Sequence, residues 1–499
     1  MTGLALAVVV MLGMGGAAQA AKRGGILKVG LETRVYGFDT VFSGPSAHAP
    51  QMLIMESLFF QNPETEKIEP LLATSMKEAA DRKSWTIKLR KGVKFHDGTP
   101  FNAAAVAFHY NRILDKKNKA RYRGFISTIT KVEAKDEHTA VFHLKHPWAG
   151  FPSSVTGPGP VSYIHSPTQV KKLGKQNTRN PVGTGMYRFV EWKTGDRVVV
   201  ERNPDYWGKP GYLDKVIFRL LPDPESRYAS LLSRDVDVIW VDRPSHIKKA
   251  NKRSDIVVKK NGGAGALTVF LNNAKPPLDD WRVRKALQLA YDNVPYTRAA
   301  RKGVSPPAFH PFGPNFNCPG FKHPGPDIER AMKLIKEYGK PVTVRYTHTT
   351  TIRGRTSAQI AQQMWKKIGV EVVMNPVDQA TLVRSVITGD YMISGWRMVD
   401  EIDEFQDIQI VGTFFSKSRA NFGKYKSPEM DKLVIAGRKE SDYEKRNAIY
   451  CKIAKLITKD VPILYRGAYM PHMMHLPDVK GVFLNTAGRI ITKYAWLDR

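Results

Sequence analysis

The chain has 499 residues, enough for two or three domains at about 150 residues each. Its composition, 42% hydrophobic and 10% aromatic, excludes a chain that is mainly disordered. Lys and Arg outnumber Asp and Glu by 77 to 46, a formal charge of +31, and two cysteines are too few for a disulfide scaffold or a Cys-rich zinc module.

Residues 4–16 form an uncharged apolar run followed by Ala18-Gln19-Ala20, which sets small residues at both positions of a leader cleavage box. The run falls short of the roughly 20 residues a spanning helix needs. The expectation is export, removal of a signal peptide after Ala20, and a mature protein free in the periplasm. The cleavage site carries no cysteine for a lipid anchor.

Further along, 26–31 reads as a strand, and 85–89 and 140–144 alternate as half-buried antiparallel strands do. Residues 198–200 and 216–220 are strands separated by an Asn203-Pro204-Asp205 turn. Val283, Ala286, Leu287 and Ala290 share one helix face. Ile360, Met364 and Ile368 mark a second helix closing on Gly369, and 446–457 a third. Residues 306–326, rich in Pro, Gly and Phe, read as a long structured loop or an interdomain crossing. The pattern is mixed α/β in two lobes.

Catalytic motifs are not found: the sequence holds no Gly-x-Ser-x-Gly, His-Glu-x-x-His, Walker A loop or Cys-x-x-Cys. Gly262-Gly263-Ala264-Gly265 precedes a strand, whereas a phosphate cradle opens a helix. The expectation is a protein that is not an enzyme and carries no cofactor. Met470-Pro471-His472-Met473-Met474-His475 gathers donors suited to copper or nickel, with His472, Met473 and His475 as metal candidates, against the simpler reading of a core strand. Basic clusters at 116–121, 171–172 and 248–253 are dispersed along the chain and read as solvated surface, so no nucleic-acid partner is expected.

Residues 85–114, WTIKLRKGVKFHDGTPFNAAAVAFHYNRIL, resemble the signature stretch of family 5 solute-binding proteins of ABC importers, the dipeptide- and oligopeptide-binding type. PVGTGMYRFVEW (181–192), ERNPDYWG (201–208), YLDKVIFRLLPD (212–223) and PPLDDWRVRKALQLAYD (276–292) follow in the family's order, as do SPEMDKLV (427–434) and DYEKRNAIY (442–450). Within these stretches Asp97-Gly98 supplies a turn, and Thr99 or Asn102 a helix cap. His96 and Asp97 are accordingly read as fold residues.

The resemblance implies a two-lobe periplasmic binding protein fold with an extra subdomain in the first lobe. After the leader (1–20), the expected parts are lobe I (21–58), its subdomain (59–175), lobe I again (176–285), lobe II (286–468) and a return to lobe I (469–499). It also implies a monomer that encloses a peptide-like or other small polar solute and delivers it to ABC permease membrane subunits. A nickel- or copper-type chelate carrier of the same fold, or a periplasmic enzyme or envelope chaperone, are the alternatives. The family's Gly-Trp-x-x-Asp element, whose aspartate pairs with a peptide's amino group, appears here as Gly395-Trp396-Arg397-Met398-Val399-Asp400, with the aspartate one residue late. Trp396, Arg397 and Asp400 are therefore candidate ligand contacts. His348 stands where dipeptide binders carry a carboxylate-holding arginine, with Arg353 just beyond. The two arginines and the body charge together imply a solute with an anionic group. Cys318 and Cys451 are a candidate disulfide in an oxidising compartment.

Overall fold

The computed structural model describes residues 21–42, 47–157, 159, 161–262, 265–312, 316–399 and 407–499. The expected leader and Asp400 lie outside the described residues.

The first lobe is built on a seven-stranded sheet. Its spatial order is Val257–Lys260, His472–His475, Val238–Val241, Ile26–Leu31, Lys215–Leu220, Arg197–Arg202 and Tyr187–Lys193. Ile26–Leu31 runs parallel to both its neighbours, while the outer strands are antiparallel. The Gly-Thr-Gly segment runs against the helix His48–Ile54 so closely that a Cβ at Gly183 or Gly185 would collide with the carbonyls of Ile54 and Leu53. Glycine there is a packing requirement.

The extra subdomain holds a four-stranded antiparallel sheet, ordered Ala73–Glu78, Ser84–Leu89, Thr139–Leu144 and Ile129–Asp136. The helix Ala103–Leu114 packs on it through Ala105, Val106, Tyr110 and Ile113. Asn102 caps that helix by accepting the Ala105 amide. Gly98, at φ +82, makes the preceding turn, and Asp97 accepts from Ser166 Oγ at 2.5 Å. His96 Nε2 bonds the Gly185 carbonyl at 2.8 Å. Both residues tie the subdomain to neighbouring segments.

The second lobe carries a five-stranded sheet, ordered Val370–Val377, Val342–Thr349, Ile393–Val399, Gly265–Leu271 and Ile463–Ala468. Helices cover both faces, so alternate residues of one strand serve two cores. Val269 and Leu271 join Trp365 and Leu287, whereas Ala266 and Phe270 join Ile453 and Phe414. This sheet starts at Gly265, ahead of the boundary expected at 286, because Gly265–Leu271 finds its partners nearly a lobe away in sequence, at 393–399 and 463–468.

The chain crosses between the lobes twice, and the crossings lie side by side. Lys260 stands opposite His472 and Ala266 opposite Ala468. Between them the Asn261 amide donates to the Pro471 carbonyl and the Tyr469 amide to that of Gly265, each at 3.2 Å. Cys318, in the Pro-rich loop, is disulfide-bonded to Cys451 of the helix Tyr443–Asp460, their Cα atoms 5.2 Å apart. Among the described residues no helix is long and apolar enough to cross a membrane.

Candidate ligand-binding site

A cavity of about 1180 Å³ lies between the lobes, with Arg121 and Phe125 of the subdomain also reaching it. Its position follows from topology: Glu32 and Asp242 stand just past the C-terminal ends of the parallel strands Ile26–Leu31 and Val238–Val241. From the second lobe, His348 sits at the end of Val342–Thr349, and Trp396 and Arg397 on Ile393–Val399. The carboxyl ends of parallel strands are where open α/β sheets place ligands.

Nine arginines and three carboxylates line the cavity among the described residues, with no lysine. Two of those carboxylates bridge the lobes. Glu32 accepts from Arg397 Nη2 at 3.2 Å and faces Arg353 Nη2 at 3.8 Å, and Arg353 also contacts Asp242. Burial alone would raise the Glu32 carboxyl; the charges of Arg397, Arg353 and Arg227 outweigh it and hold Glu32 below the usual glutamate range. The Arg397 guanidinium lies 5.1 Å from the Trp240 ring centre and 5.8 Å from that of Tyr469, a cation packed between aromatic faces.

The other candidates are placed as follows. Trp396 stacks on Phe270 with ring centres 5.8 Å apart, and Phe422 meets its edge at 6.3 Å. His348 is buried; its Nδ1 lies 2.9 Å from the Thr349 carbonyl. A carbonyl can only accept, so Nδ1 carries a proton, and Nε2 is buried with no hydrogen-bond partner among the described residues. Trp396, Arg397, His348 and Arg353 therefore share one cavity. His472, Met473 and His475 do not: they lie on the strand His472–His475, held between Val238–Val241 and Val257–Lys260, with Met473 and Met474 fully buried.

Among the cavity-lining residues that sequence reasoning did not single out are Glu32, Trp240, Asp242 and Arg466. The one local signal was Glu32-Thr33-Arg34, charged and directly after the first strand. Arg466, on the edge strand Ile463–Ala468, donates from Nη2 to the Trp396 carbonyl at 3.2 Å. It lies 5.8 Å from the Tyr296 ring centre.

Two lobes facing each other across a cation-rich cavity define a protein built to enclose a small solute. Residues 67–421 match the description "Bacterial extracellular solute-binding proteins, family 5 Middle". The chain belongs to this family. It is 28% identical over 413 residues to the glutathione-binding protein GsiB of Pectobacterium atrosepticum, covering 80% of each chain. With the oligopeptide-binding protein AppA of Bacillus subtilis it shares 26% identity over 502 residues, 92% of this chain and 89% of the relative. The periplasmic binding protein DppA of Helicobacter pylori, solved with the peptide STSA, superposes with a TM-score of 0.88 at 25% identity, covering 96% of this chain and 99% of that one. These matches are binding proteins.

Proposed function

We propose that the chain is the periplasmic solute-binding component of an ABC importer, capturing a peptide-like solute with at least one anionic group and delivering it to the membrane permease. The observation that carries this reading is the charge of the cavity between the lobes, in which nine arginines face three carboxylates among the described residues. Two of the carboxylates are already engaged by Arg397 and Arg353, so the surplus of positive charge among the described residues favours an anion on the ligand. A desolvated cation left without a partner on closure costs several kcal/mol, and a ligand anion removes that cost. The names of the matched relatives, glutathione- and oligopeptide-binding proteins, support a peptide-like solute.

Native mass spectrometry of freshly purified protein tests this directly. The expected result is a retained small molecule, released on unfolding, that is peptide-like and carries a carboxylate or other anionic group. A retained cationic or uncharged species would contradict the charge assignment, and turnover of added peptides would contradict the role of pure binder.

A further inference from the structure

Two basic runs that lie apart in the sequence are neighbours in the fold. The helix Ala103–Leu114 leads into the short helical turn Lys116–Asn118, and the helix Pro167–Leu173 packs beside the first of these. Lys171 Nζ lies 5.6 Å from the ring centre of Phe108 on Ala103–Leu114. Just beyond, Arg112 and Asn177 both donate to the buried carboxylate of Asp39. Residues 108–123 and 166–180 together hold ten Lys and Arg against one acid, Asp115. Six of the ten are exposed lysines at 116, 117, 119, 171, 172 and 175, and none is in an ion pair among the described residues. The carboxylates bonded to these segments are engaged in structure: Asp39 with Arg112, Asp97 with Ser166, and Asp115 with the Lys117 amide. Phe42, 42% exposed, stands beside them, its ring centre 5.5 Å from the Arg112 guanidinium. The third basic run, Lys248, Lys249 and Lys252, belongs elsewhere. Its helix Pro244–Ala250 packs near Val257–Lys260, at one edge of the seven-stranded sheet.

We propose that the face formed by 115–119 and 167–175 docks the protein on an anionic bilayer surface. None of the six lysines lines the cavity, so their charge is not accounted for by an enclosed ligand. Lysine is a compact charge on a flexible stem, without the planar fork that selects one carboxylate. Several such charges on an open surface suit a plane of headgroup phosphates, which attracts each cation that comes within a Debye length. An exposed aromatic ring among cations suits the boundary between headgroups and acyl chains. The proposal does not rest on the solute-binding reading. If that reading holds, the face gathers the carrier at the membrane where its solute is handed over.

The test is sedimentation of the purified protein with vesicles of phosphatidylcholine alone and with vesicles in which about a third of the lipid is phosphatidylglycerol. Binding to the anionic vesicles at least about tenfold above the neutral ones, released by high salt, is the expected result. Equal binding to both, or to neither, overturns the proposal. The triple substitution Lys116→Glu, Lys117→Glu and Lys172→Glu should lower partitioning about tenfold or more, whereas Lys248→Glu, Lys249→Glu and Lys252→Glu, the same change of charge elsewhere, should alter it less than about twofold. Equal losses in the two variants assign binding to the net charge of the whole chain and overturn the face. Tighter binding to soluble polyglutamate than to the anionic vesicles points to an acidic protein instead and overturns the bilayer assignment. In the wild-type protein, vesicles should slow hydrogen exchange at 115–123 and 167–179 and not at 244–253. That map needs no variant, and protection confined to other segments overturns the proposal whatever the folding of the substituted proteins.

Discussion

Asp39 is fully buried and accepts from both Arg112 guanidinium nitrogens, at 2.9 and 2.8 Å, and from Asn177 Nδ2 at 3.1 Å. It thus anchors the helix Ala103–Leu114 of the subdomain to the body of the first lobe. Burial pushes its carboxyl up, but His165, Arg112 and the Val41 amide together bring it down to about 2. A depressed carboxyl stabilises the fold above its ordinary value of 3.8, and that contribution drains away as pH falls toward about 2. Asp39→Asn is therefore expected to cost about 3 kcal/mol near neutral pH. In urea unfolding, the gap to wild type should narrow on acidification through that window; a gap independent of pH would contradict the assignment. Sequence reasoning singled out neither Asp39 nor Glu32, because each acquires its role from a partner far along the chain, Arg112 at a separation of 73 residues and Arg397 at 365.

Elements were more legible than their assembly. The turn and cap at 97–102 follow from local chemistry, and the Asn102 side chain does cap its helix. Asn102→Ala should destabilise by about 1 kcal/mol in denaturant titration. The order of the seven-stranded sheet was not legible, since it sets His472–His475 beside Val238–Val241, and no local pattern records a pairing over such a span. That strand's Met-His spacing carries a metal-like composition, yet Met473 is wholly buried in the first lobe's core. Met473→Ala is expected to cost about 2–5 kcal/mol, the range for emptying a core site of this size, as measured by urea unfolding. The Cys318–Cys451 bond fastens the Pro-rich loop to the helix Tyr443–Asp460 across 133 residues of chain. Denatured, unreduced protein should accordingly show no free thiol, and reduction should lower the melting temperature.

At the scale of the whole molecule, Glu32 ties the lobes together beside Asp242, because it belongs to the first lobe and faces two arginines of the second. Glu32→Gln removes the first-lobe countercharge of Arg397 and leaves Asp242 alone to hold Arg353 across the gap. The expected outcome is a shift toward separated lobes, seen as a larger radius of gyration in X-ray scattering and a severalfold loss of solute affinity. Unchanged scattering and affinity would remove Glu32 from that role. The paired crossings at 260–266 and 468–472 have a different consequence. Everything between them enters and leaves the first lobe at one spot, so residues 265–468 amount to a cassette whose two ends are neighbours. His348, Arg353, Trp396, Arg397 and Arg466 all travel on it. Grafted between the same two strands of a relative, the cassette should carry its own share of ligand preference with it. In such a fold, specificity can be exchanged by a single insertion while the first lobe keeps its sheet.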